Sequence, residues 1–395
     1  MRKIGLDLGA RHIAYCEVSA DGKQVVDRVT VKSLEELRSR LGPDAESATI
    51  AFEACREGWF VYDTLSGWGH DPRMLDTTRI RQMGVGQHGR KNDPIDAEAI
   101  ARALAEGRIK EAHVLSPARR QLRAQLGVRG ALVETRAQYV TTIRGLARAA
   151  GVLLPTCDSS NFASKIEGWA LDAETRALIA PLLVLLKTLE PELARVEETL
   201  SGIATKDPVL QLCATVPGVG LIVAATFVSV LDDADRFKNA HAVGAYLGLV
   251  PTESTTGGPN KRRLGSITKQ GNSVARAMLI QAAWTILRLR DTNDPLKRWV
   301  THVAQTRNKR VAVVGLARKL AGVLWAMWRD GTVYDPKEHG EKAARGVQLA
   351  ARHQLGRAQA LQRAAAKLQR PTKPKKAPAS AIAPTPRKTS KRIAM

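Results

Sequence analysis

The order of short apolar runs over residues 3–75 limits most strongly how this chain can fold. Three runs of strand length come first, and a hairpin-type Asp21-Gly22 turn precedes the third of them: 3–8, 13–18 and 24–31. Segments of helical character then alternate with further strand-length runs, in the order 33–41, 48–52, 57–67 and 70–75. Hairpin-linked strands followed by helix–strand alternation predict an α/β layer around a mixed sheet.

The pattern turns helical from Asp93 onward, beginning with a helix at 94–106. Residues 117–150 and 174–204 are long, rich in Leu and Ala and charged on alternate faces, which fits an antiparallel coiled-coil arm or two ordinary bundle helices. A second compact, mostly α-helical domain follows, and after it a Pro-, Lys- and Ala-rich tail with the composition of a disordered segment. The predicted domains are 1–112, 113–206 (a helical linker or dimerisation region), 207–335 and the basic tail 336–395.

The charge is strongly positive, with 61 Lys plus Arg against 38 Asp plus Glu and a formal net charge of +23. The tail from Pro336 holds 15 of these basic residues and 2 of the acidic ones, so the rest of the chain is basic in its own right. Such a charge favours a polyanionic partner, and salt should weaken the binding. Nucleic acid is the expected partner, and a protein that merely carries a basic tail is the alternative.

The four cysteines form no C-x-x-C pair, so neither a zinc site nor a disulfide framework is expected. The N-terminus lacks the apolar core of a signal peptide, and no uninterrupted run of 18 apolar residues occurs. We therefore expect a cytoplasmic protein in a reducing compartment that does not enter a membrane.

Two acidic residues lie in apolar strands of the first domain. Asp7 is part of the segment IGLDLG (4–9), where a carboxylate is costly unless it has a partner. Glu53 closes the run AFEA (51–54), and in a parallel strand pair it would lie beside Asp7. Each acid is either a metal ligand or an ordinary strand-end residue, because a similar D-L-G also begins sugar kinases and actin-like ATPases.

The segment KNDPIDA (91–97) adds two acids at the start of a helix. Asp93 suits the N-cap, Pro94 the first helical position and Asp96 the third, so helix-start chemistry alone explains both acids. The same spacing places both carboxylates on one side of the first turn, where they can grip a divalent cation. If the four acids converge, each pair of charges about 4 Å apart costs roughly 4 kcal/mol, and bound Mg²⁺ would reverse that cost.

Residues 248–272 are rich in glycine, hydroxyls and cations, and we interpret them as one loop. The residues suited to a phosphate are Ser254, Thr255, Thr256, Lys261, Arg262, Arg263 and Lys269. A hydroxyl here either attacks phosphorus covalently or belongs to a flexible loop that only touches the DNA backbone. The turn VPGVG (216–220), with Gly218 and Gly220, is either a phosphate-binding turn of the helix-hairpin-helix kind or a plain connection.

In this order the motifs resemble those of the DEDD-type insertion-sequence transposases, a family related to the Piv-type DNA invertases. The resemblance covers about residues 1–335 and rests on IGLDLG, FEA, KNDPIDA, VPGVG, YLGLVP and GSITKQGN, the last followed by Arg276. It implies an RNase-H-like (RuvC-like) first domain that binds Mg²⁺ through four acids: Asp7, Glu53, Asp93 and Asp96. It also implies a serine nucleophile in the C-terminal domain, and we expect the glycines and cations named above, with Arg276, to contact nucleic acid.

The resemblance further implies a recombinase that cleaves and transfers DNA strands at element ends and target, associated with the nucleoid. Dimers that meet in a tetramer at synapsis are expected, and some relatives are guided by a bridge RNA that the element encodes. The sequence departs from the family at the nucleophile. Counted from Pro251 and Gly257, that position falls on Thr256, with Thr255 beside it and Ser254 two residues earlier.

Two other functions remain open at the level of sequence. A catalytically impaired relative that only binds nucleic acid would also lack the family serine. An actin-like ATPase or sugar kinase fits the D-L-G segment, but that class needs a D-G-G phosphate loop, which the sequence lacks.

Overall fold

The structure is a computed structural model that describes residues 1–77, 93–255, 262–290 and 293–336, apart from the side chains of residues 255 and 262. The chain divides into two compact units, 1–200 and 201–395, and each is described by itself. The finer division into four domains stays a prediction.

A five-stranded mixed sheet forms the centre of the first unit. Its strands are β1 (Arg2–Leu8), β2 (Ile13–Val18), β3 (Val25–Val31), β4 (Ala48–Glu53) and β5 (Asp71–Leu75). Their spatial order is β3-β2-β1-β4-β5, with antiparallel pairing from β3 to β1 and parallel pairing from β1 to β5. The mixed sheet expected from the sequence is confirmed.

Helices cover both faces of this sheet because side chains alternate along each strand. One face, which carries Ile4 and Leu6, packs against the segment around α1 (Arg38–Leu41) and against α2 (Gly58–Gly67). The other face carries smaller residues, among them Ala14, and packs against α3 (Asp93–Ala105). The first unit is therefore layered as helix, sheet and helix.

Two long helices extend the first unit. They are α4 (Pro117–Ala149) and α6 (Ala173–Ala204), and the short α5 (Phe162–Glu167) lies between them in sequence. Ion pairs Arg129–Glu197 and Arg136–Glu190 join α4 to α6, so the two helices run antiparallel as predicted. Four of the six buried positions of α6 recur every seven residues, at Ile179, Leu186, Leu193 and Leu200, and the other two, Thr175 and Leu183, lie four residues to either side of Ile179. That spacing is typical of a coiled-coil seam, which favours the coiled-coil interpretation over ordinary bundle helices.

The second unit is a helical bundle with one small hairpin. Its helices are α7 (Pro208–Ala214), α8 (Leu221–Leu231), α9 (Ala240–Tyr246), α10 (Ser273–Arg288), α11 (Pro295–Thr306) and α12 (Lys309–Asp330). Within the described ranges, α12 alone is long and apolar enough to cross a membrane by length and composition, and half of its most apolar stretch is buried. Since α7, α9, α10 and α11 all pack against α12, its apolar character is that of a core helix.

The segment interpreted from sequence as a single loop contains two strands. β6 (Pro251–Thr255) and β7 (Arg262–Ile267) pair antiparallel as a separate two-stranded sheet. The loop interpretation of 248–272 is therefore wrong over these strands. The Thr and Ser residues of β6 suit a pleated strand, but the many glycines around them favour a loop when only the sequence is considered.

Candidate catalytic site

Asp7 and Glu53 lie at neighbouring positions on one face of the sheet. In the parallel pair of β1 and β4, each acid follows the last aligned residue of its strand by one position. Asp7 is aligned with Ala14 on β2, and Glu53 is aligned with Leu75 on β5. Because Ala14 and Leu75 both pack against α3, the two acids belong to the face that α3 covers.

Gly5 allows α3 to lie directly against β1. A methyl group in place of its hydrogen would come within 2.2 Å of the Ala97 carbonyl oxygen and 2.6 Å of the Ala101 nitrogen. A side chain at this position would push the helix away from the sheet. The sequence analysis did not single out Gly5, although a glycine between two apolar strand residues, Ile4 and Leu6, is the signal for such a close contact.

The first turn of α3 brings the remaining two acids to the same edge. Asp93 begins the helix, and its Oδ2 lies 3.5 Å from where a Cβ on Gly9 would be, two residues beyond Asp7. Asp96 is only 6% exposed and directly precedes Ala97, the residue in contact with Gly5. Acids from two strands and one helix therefore approach one edge of the sheet.

The four acids supply carboxylate oxygens, which are the ligands that Mg²⁺ prefers. Asp96 is buried, and the other three acids are half-buried. Across the described ranges, however, no three His, Cys, Asp or Glu side chains are close enough together to hold a metal ion. The backbone thus places the acids at one edge without setting ligating distances, and the magnesium site stays a prediction.

Glu17 is an acid of the same sheet with a structural role. It lies on the opposite face of β2, where Arg2 Nη2 and the Tyr15 hydroxyl each donate to its Oε2 at 2.7 Å. The hydrogen bond from Arg2 lowers the pKa of Glu17, against the opposing effect of burial. Protein groups already neutralise this carboxylate, so it needs no cation.

In the second unit, the β6–β7 hairpin places hydroxyls beside cations. Ser254 is aligned with Arg263, and both side chains are exposed. Thr255 is aligned with Arg262, for which the structure describes the backbone alone. Thr256 and Lys261 lie outside the described residues. An exposed hydroxyl opposite a guanidinium suits attack on a phosphate that the guanidinium holds.

Two glycines allow the chain segments at the base of this hairpin to cross closely. Gly248, at φ +68°, would bring an added Cβ within 1.9 Å of the Gln270 carbonyl oxygen. Gly271, at φ +99°, would bring one within 2.1 Å of the Tyr246 carbonyl oxygen. Both the conformation and the space therefore require glycine, which explains why YLGLVP and GSITKQGN occur together.

Other residues expected to contact nucleic acid have structural surroundings of their own. Lys269 is exposed and adopts a left-handed backbone conformation at φ +56°. Arg276 donates through Nη1 to the carbonyl oxygens of Leu247 at 3.2 Å and Gly271 at 3.1 Å, so it braces the base of the hairpin. The sequence did not indicate this bracing role. Direct contact of Arg276 with nucleic acid stays a prediction.

The two glycines of VPGVG have different surroundings. Gly218, at φ +82°, lies against α10, where an added Cβ would approach the Ile286 side chain to 2.7 Å. Gly220 is the exposed N-cap of α8 and has no atom within 4 Å of an added Cβ. Gly218 therefore serves packing, whereas Gly220 leaves the start of α8 open to a ligand. Phosphate binding by this turn stays a prediction.

Two protein-family models match the chain, one over each set of motifs. Residues 4–150 match the transposase model for the DEDD type of IS110 elements, a range that contains all four acids. Residues 210–297 match the model described as transposase of the IS116/IS110/IS902 family, a range that contains VPGVG and the hairpin. Together the two models match more than half of the chain. The chain belongs to the DEDD-type insertion-sequence transposases.

Curated relatives agree with this assignment. A probable family 20 transposase of Pseudomonas aeruginosa is 29% identical over 85% of this chain and 99% of its own length. The transposase for insertion sequence element IS1328 of Yersinia enterocolitica is 27% identical over 84% and 98%. The transposase for IS1111A of Coxiella burnetii is 25% identical over 82% and 88%. The transposase is thus an enzyme of DNA transposition, and its family membership decides against a sugar kinase or actin-like ATPase.

Proposed function

We propose that this transposase cleaves and transfers DNA strands through two chemical centres. One is a divalent-metal site in an RNase-H-like domain over 1–112, formed by Asp7, Glu53, Asp93 and Asp96. The other is a hydroxyl of the β6–β7 hairpin within a transposase domain over 207–335. The observation that carries the proposal is the neighbouring position of Asp7 and Glu53 on the face that α3 covers.

The acids constitute the chain's own part of the metal site. Carboxylates at one sheet edge repel each other by a few kcal/mol, so a cation that binds between them gains that energy. Magnesium ions bound there would activate an attacking oxygen and stabilise a leaving oxygen. Two of the acids lie in strands and two in a helix that packs directly on those strands, which supports a metal site held by the core of the domain.

The hairpin contributes the covalent step. The oxygen of Ser254, Thr255 or Thr256 forms a bond to phosphorus, and the bond between phosphorus and one deoxyribose oxygen breaks. The departing oxygen keeps the electron pair and takes up a proton, which leaves the enzyme joined to DNA by a phosphodiester. Attack by a sugar oxygen of another strand then reverses this bond and completes the transfer. Arg263 lies opposite Ser254 on the neighbouring strand, where it can hold the phosphate.

The partners that we propose are double-stranded DNA, a guide RNA encoded by the element, and further copies of the transposase. The net charge of +23 supports nucleic-acid binding and association with the nucleoid. The exposed apolar side chains of Leu178 and Val184 on α6 support dimerisation through 113–206, and we propose that dimers assemble into a tetramer on DNA. Sequencing the nucleic acid that co-purifies with the protein tests the RNA, because a guided enzyme should retain one discrete short RNA.

The metal-dependent function is tested with labelled element-end DNA, in Mg²⁺ and in EDTA. We expect Asp7→Asn to lower strand cleavage by about a thousandfold, since it removes a charged ligand without changing side-chain size. Asp44→Asn is the matched control, because Asp44 is an exposed acid outside the candidate site. Cleavage that proceeds equally well in EDTA, or equally in both variants, would contradict the proposal. The transposase would then be a binding protein without this chemistry.

A further inference from the structure

The second unit contains a cavity of about 460 Å³ between α10, α11 and α12. Trp284 and Arg288 line it from α10, Lys297, Thr301 and Gln305 from α11, and Lys309 from the start of α12. Trp284 lies 11 residues after Ser273, the first residue of α10, which corresponds to about 16 Å along the helix. No described residue of the β6–β7 hairpin lines the cavity, and its volume lies in the range of roughly 300–1,000 Å³ that is usual for small-ligand sites.

The walls of the cavity favour a negatively charged ligand. Among the described residues, Arg288, Lys297 and Lys309 line it together with uncharged side chains. Lys297 Nζ donates to the Leu287 carbonyl oxygen, which holds this cation at the cavity wall. Lys309 is the first residue of a 22-residue helix, whose leading N–H groups add positive potential at the same place. Phosphate is the biological anion that this combination of lysines and a helix start suits best.

An aromatic ring and a hydroxyl without a hydrogen-bond partner also line the cavity. The indole of Trp284 is half-buried, and the Arg288 guanidinium carbon lies 5.4 Å from its centroid. Within the described residues, Thr301 Oγ1 is the one buried side-chain polar atom that has no hydrogen-bond partner. Buried hydroxyls are normally paired, so this oxygen is suited to bond a polar atom of a ligand. A flat polar group that stacks on Trp284 and bonds to Thr301 fits both.

We propose that this cavity binds one nucleotide of a single-stranded stretch of nucleic acid. The base stacks on Trp284 and bonds to Thr301, while the phosphate lies between Lys297 and Lys309. Aromatic stacking combined with cations along the backbone is the usual way in which proteins hold single strands. The inference rests on the proposed function, because strand transfer is what exposes unpaired nucleotides to the enzyme.

Binding of a dye-labelled single-stranded DNA oligomer to the full chain, measured by fluorescence anisotropy in EDTA at fixed salt, tests the proposal. Lys309→Ala should weaken binding about tenfold. Arg310→Ala is the matched control, because it removes the same charge from the neighbouring exposed residue, which does not line the cavity. It should weaken binding less than about threefold. Equal effects of the two variants, or equal losses for single-stranded and duplex DNA, would overturn the proposal.

Two further variants separate stacking and hydrogen bonding from charge. Trp284→Phe keeps a ring and should keep most of the affinity, whereas Trp284→Leu keeps only the apolar bulk and should lose about tenfold. Thr301→Val should weaken binding about threefold without lowering the melting temperature. Equal binding by the Phe and Leu variants overturns the stacked base. If deoxythymidine monophosphate competes at the same concentration as the oligomer, a free nucleotide is the ligand and the strand assignment is wrong.

The outcome is independent of the chemistry proposed for the acids. Binding in EDTA needs no metal, so the oligomer assay reports on the cavity without strand cleavage. Failure of the cavity variants to alter binding leaves the proposed cleavage intact. Failure of Asp7→Asn to lower cleavage leaves the cavity proposal intact.

Discussion

The edge of the five-stranded sheet and the β6–β7 hairpin present two different ways of positioning reactive groups. At the sheet edge, Asp7 and Glu53 extend buried strands, and α3 packs on them through Gly5. On the hairpin, Ser254 and Arg263 are exposed, and so is the apolar Leu264 at 59%. The first arrangement is fixed by a core, whereas the second is fixed only at its base.

This difference matches the two kinds of chemistry that we propose, metal binding at the sheet edge and covalent attack at the hairpin. Metal ligands need positions that stay constant while charge changes, and strands within a core provide them. A nucleophile that must reach a phosphate within DNA benefits from an exposed place. A two-stranded hairpin contributes little stability of its own, so bound DNA is expected to complete its order. The experiments below address this contrast, beginning with the largest expected effect.

Loss of the attacking hydroxyl should abolish the covalent intermediate altogether. Among Ser254→Ala, Thr255→Ala and Thr256→Ala, we expect one variant to form no protein–DNA adduct on a denaturing gel, because no other group replaces the missing oxygen. The other two serve as its controls. Wild-type adduct levels in all three variants would show that the nucleophile lies outside the hairpin, and the contrast between the two regions would fail.

Exchanging two acids of one sheet should separate chemistry from stability. Glu53→Gln should lower metal-dependent cleavage by about a thousandfold, because it alters a candidate ligand. Glu17→Gln should keep cleavage but lower the free energy of unfolding by about 1–3 kcal/mol, because it weakens the bonds from Arg2 and Tyr15. Cleavage kinetics and urea unfolding of both variants provide the measurements. Equal behaviour of the two would remove the distinction drawn between them.

Glu17 should also make the stability of the protein depend on pH. The folded pKa of Glu17 is lowered, so its contribution to stability is present above the unfolded value of about 4.3 and is lost as pH falls through the folded pKa. The unfolding free energy of the unchanged protein should therefore fall in acid more steeply than that of Glu17→Gln. A parallel decline of both in urea titrations would contradict this assignment.

Removing the close contact of α3 should disturb the acids through the fold. Gly5→Ala is expected to cost about 3 kcal/mol, since the added methyl would overlap the Ala97 carbonyl oxygen and the Ala101 nitrogen. Gly130→Ala on α4 is the matched control, because nothing lies within 4 Å of its added Cβ. It should stabilise the helix by about 1 kcal/mol. Thermal unfolding of both proteins decides the point, and unchanged melting of Gly5→Ala would contradict the tight packing.

The tail should have the smallest effect, confined to affinity. Truncation before Pro336 removes a strongly basic segment and should weaken DNA binding and flatten its dependence on salt. It should leave cleavage at saturating DNA unchanged, because neither centre includes the tail. Binding isotherms at several salt concentrations measure the slope, and an unaltered slope would assign the electrostatic attraction to residues 1–335 instead.

Local sequence patterns predicted most of the strands and helices. The strands of the first sheet and helices α3, α4 and α6 begin and end within a few residues of the predicted bounds. Periodicity and turn residues act over short distances, so they are visible in sequence. The strands β6 and β7 were missed because the many glycines of 248–272 favour a loop, and only the structure shows that Gly248 and Gly271 serve close crossings at the base of a hairpin. The cavity beside Trp284 was missed because three helices form it.

The sequence by itself determined the kinds of element, the positive charge and the acids and hydroxyls available for reaction, because each is a property of one residue or of its near neighbours. Only the tertiary structure decided which of these meet. Asp7 and Glu53 are 46 positions apart in the chain, and it is parallel strand pairing that makes them neighbours on the side covered by α3. Such pairing is selected by burial on both faces of the sheet, and burial is a property of the whole fold.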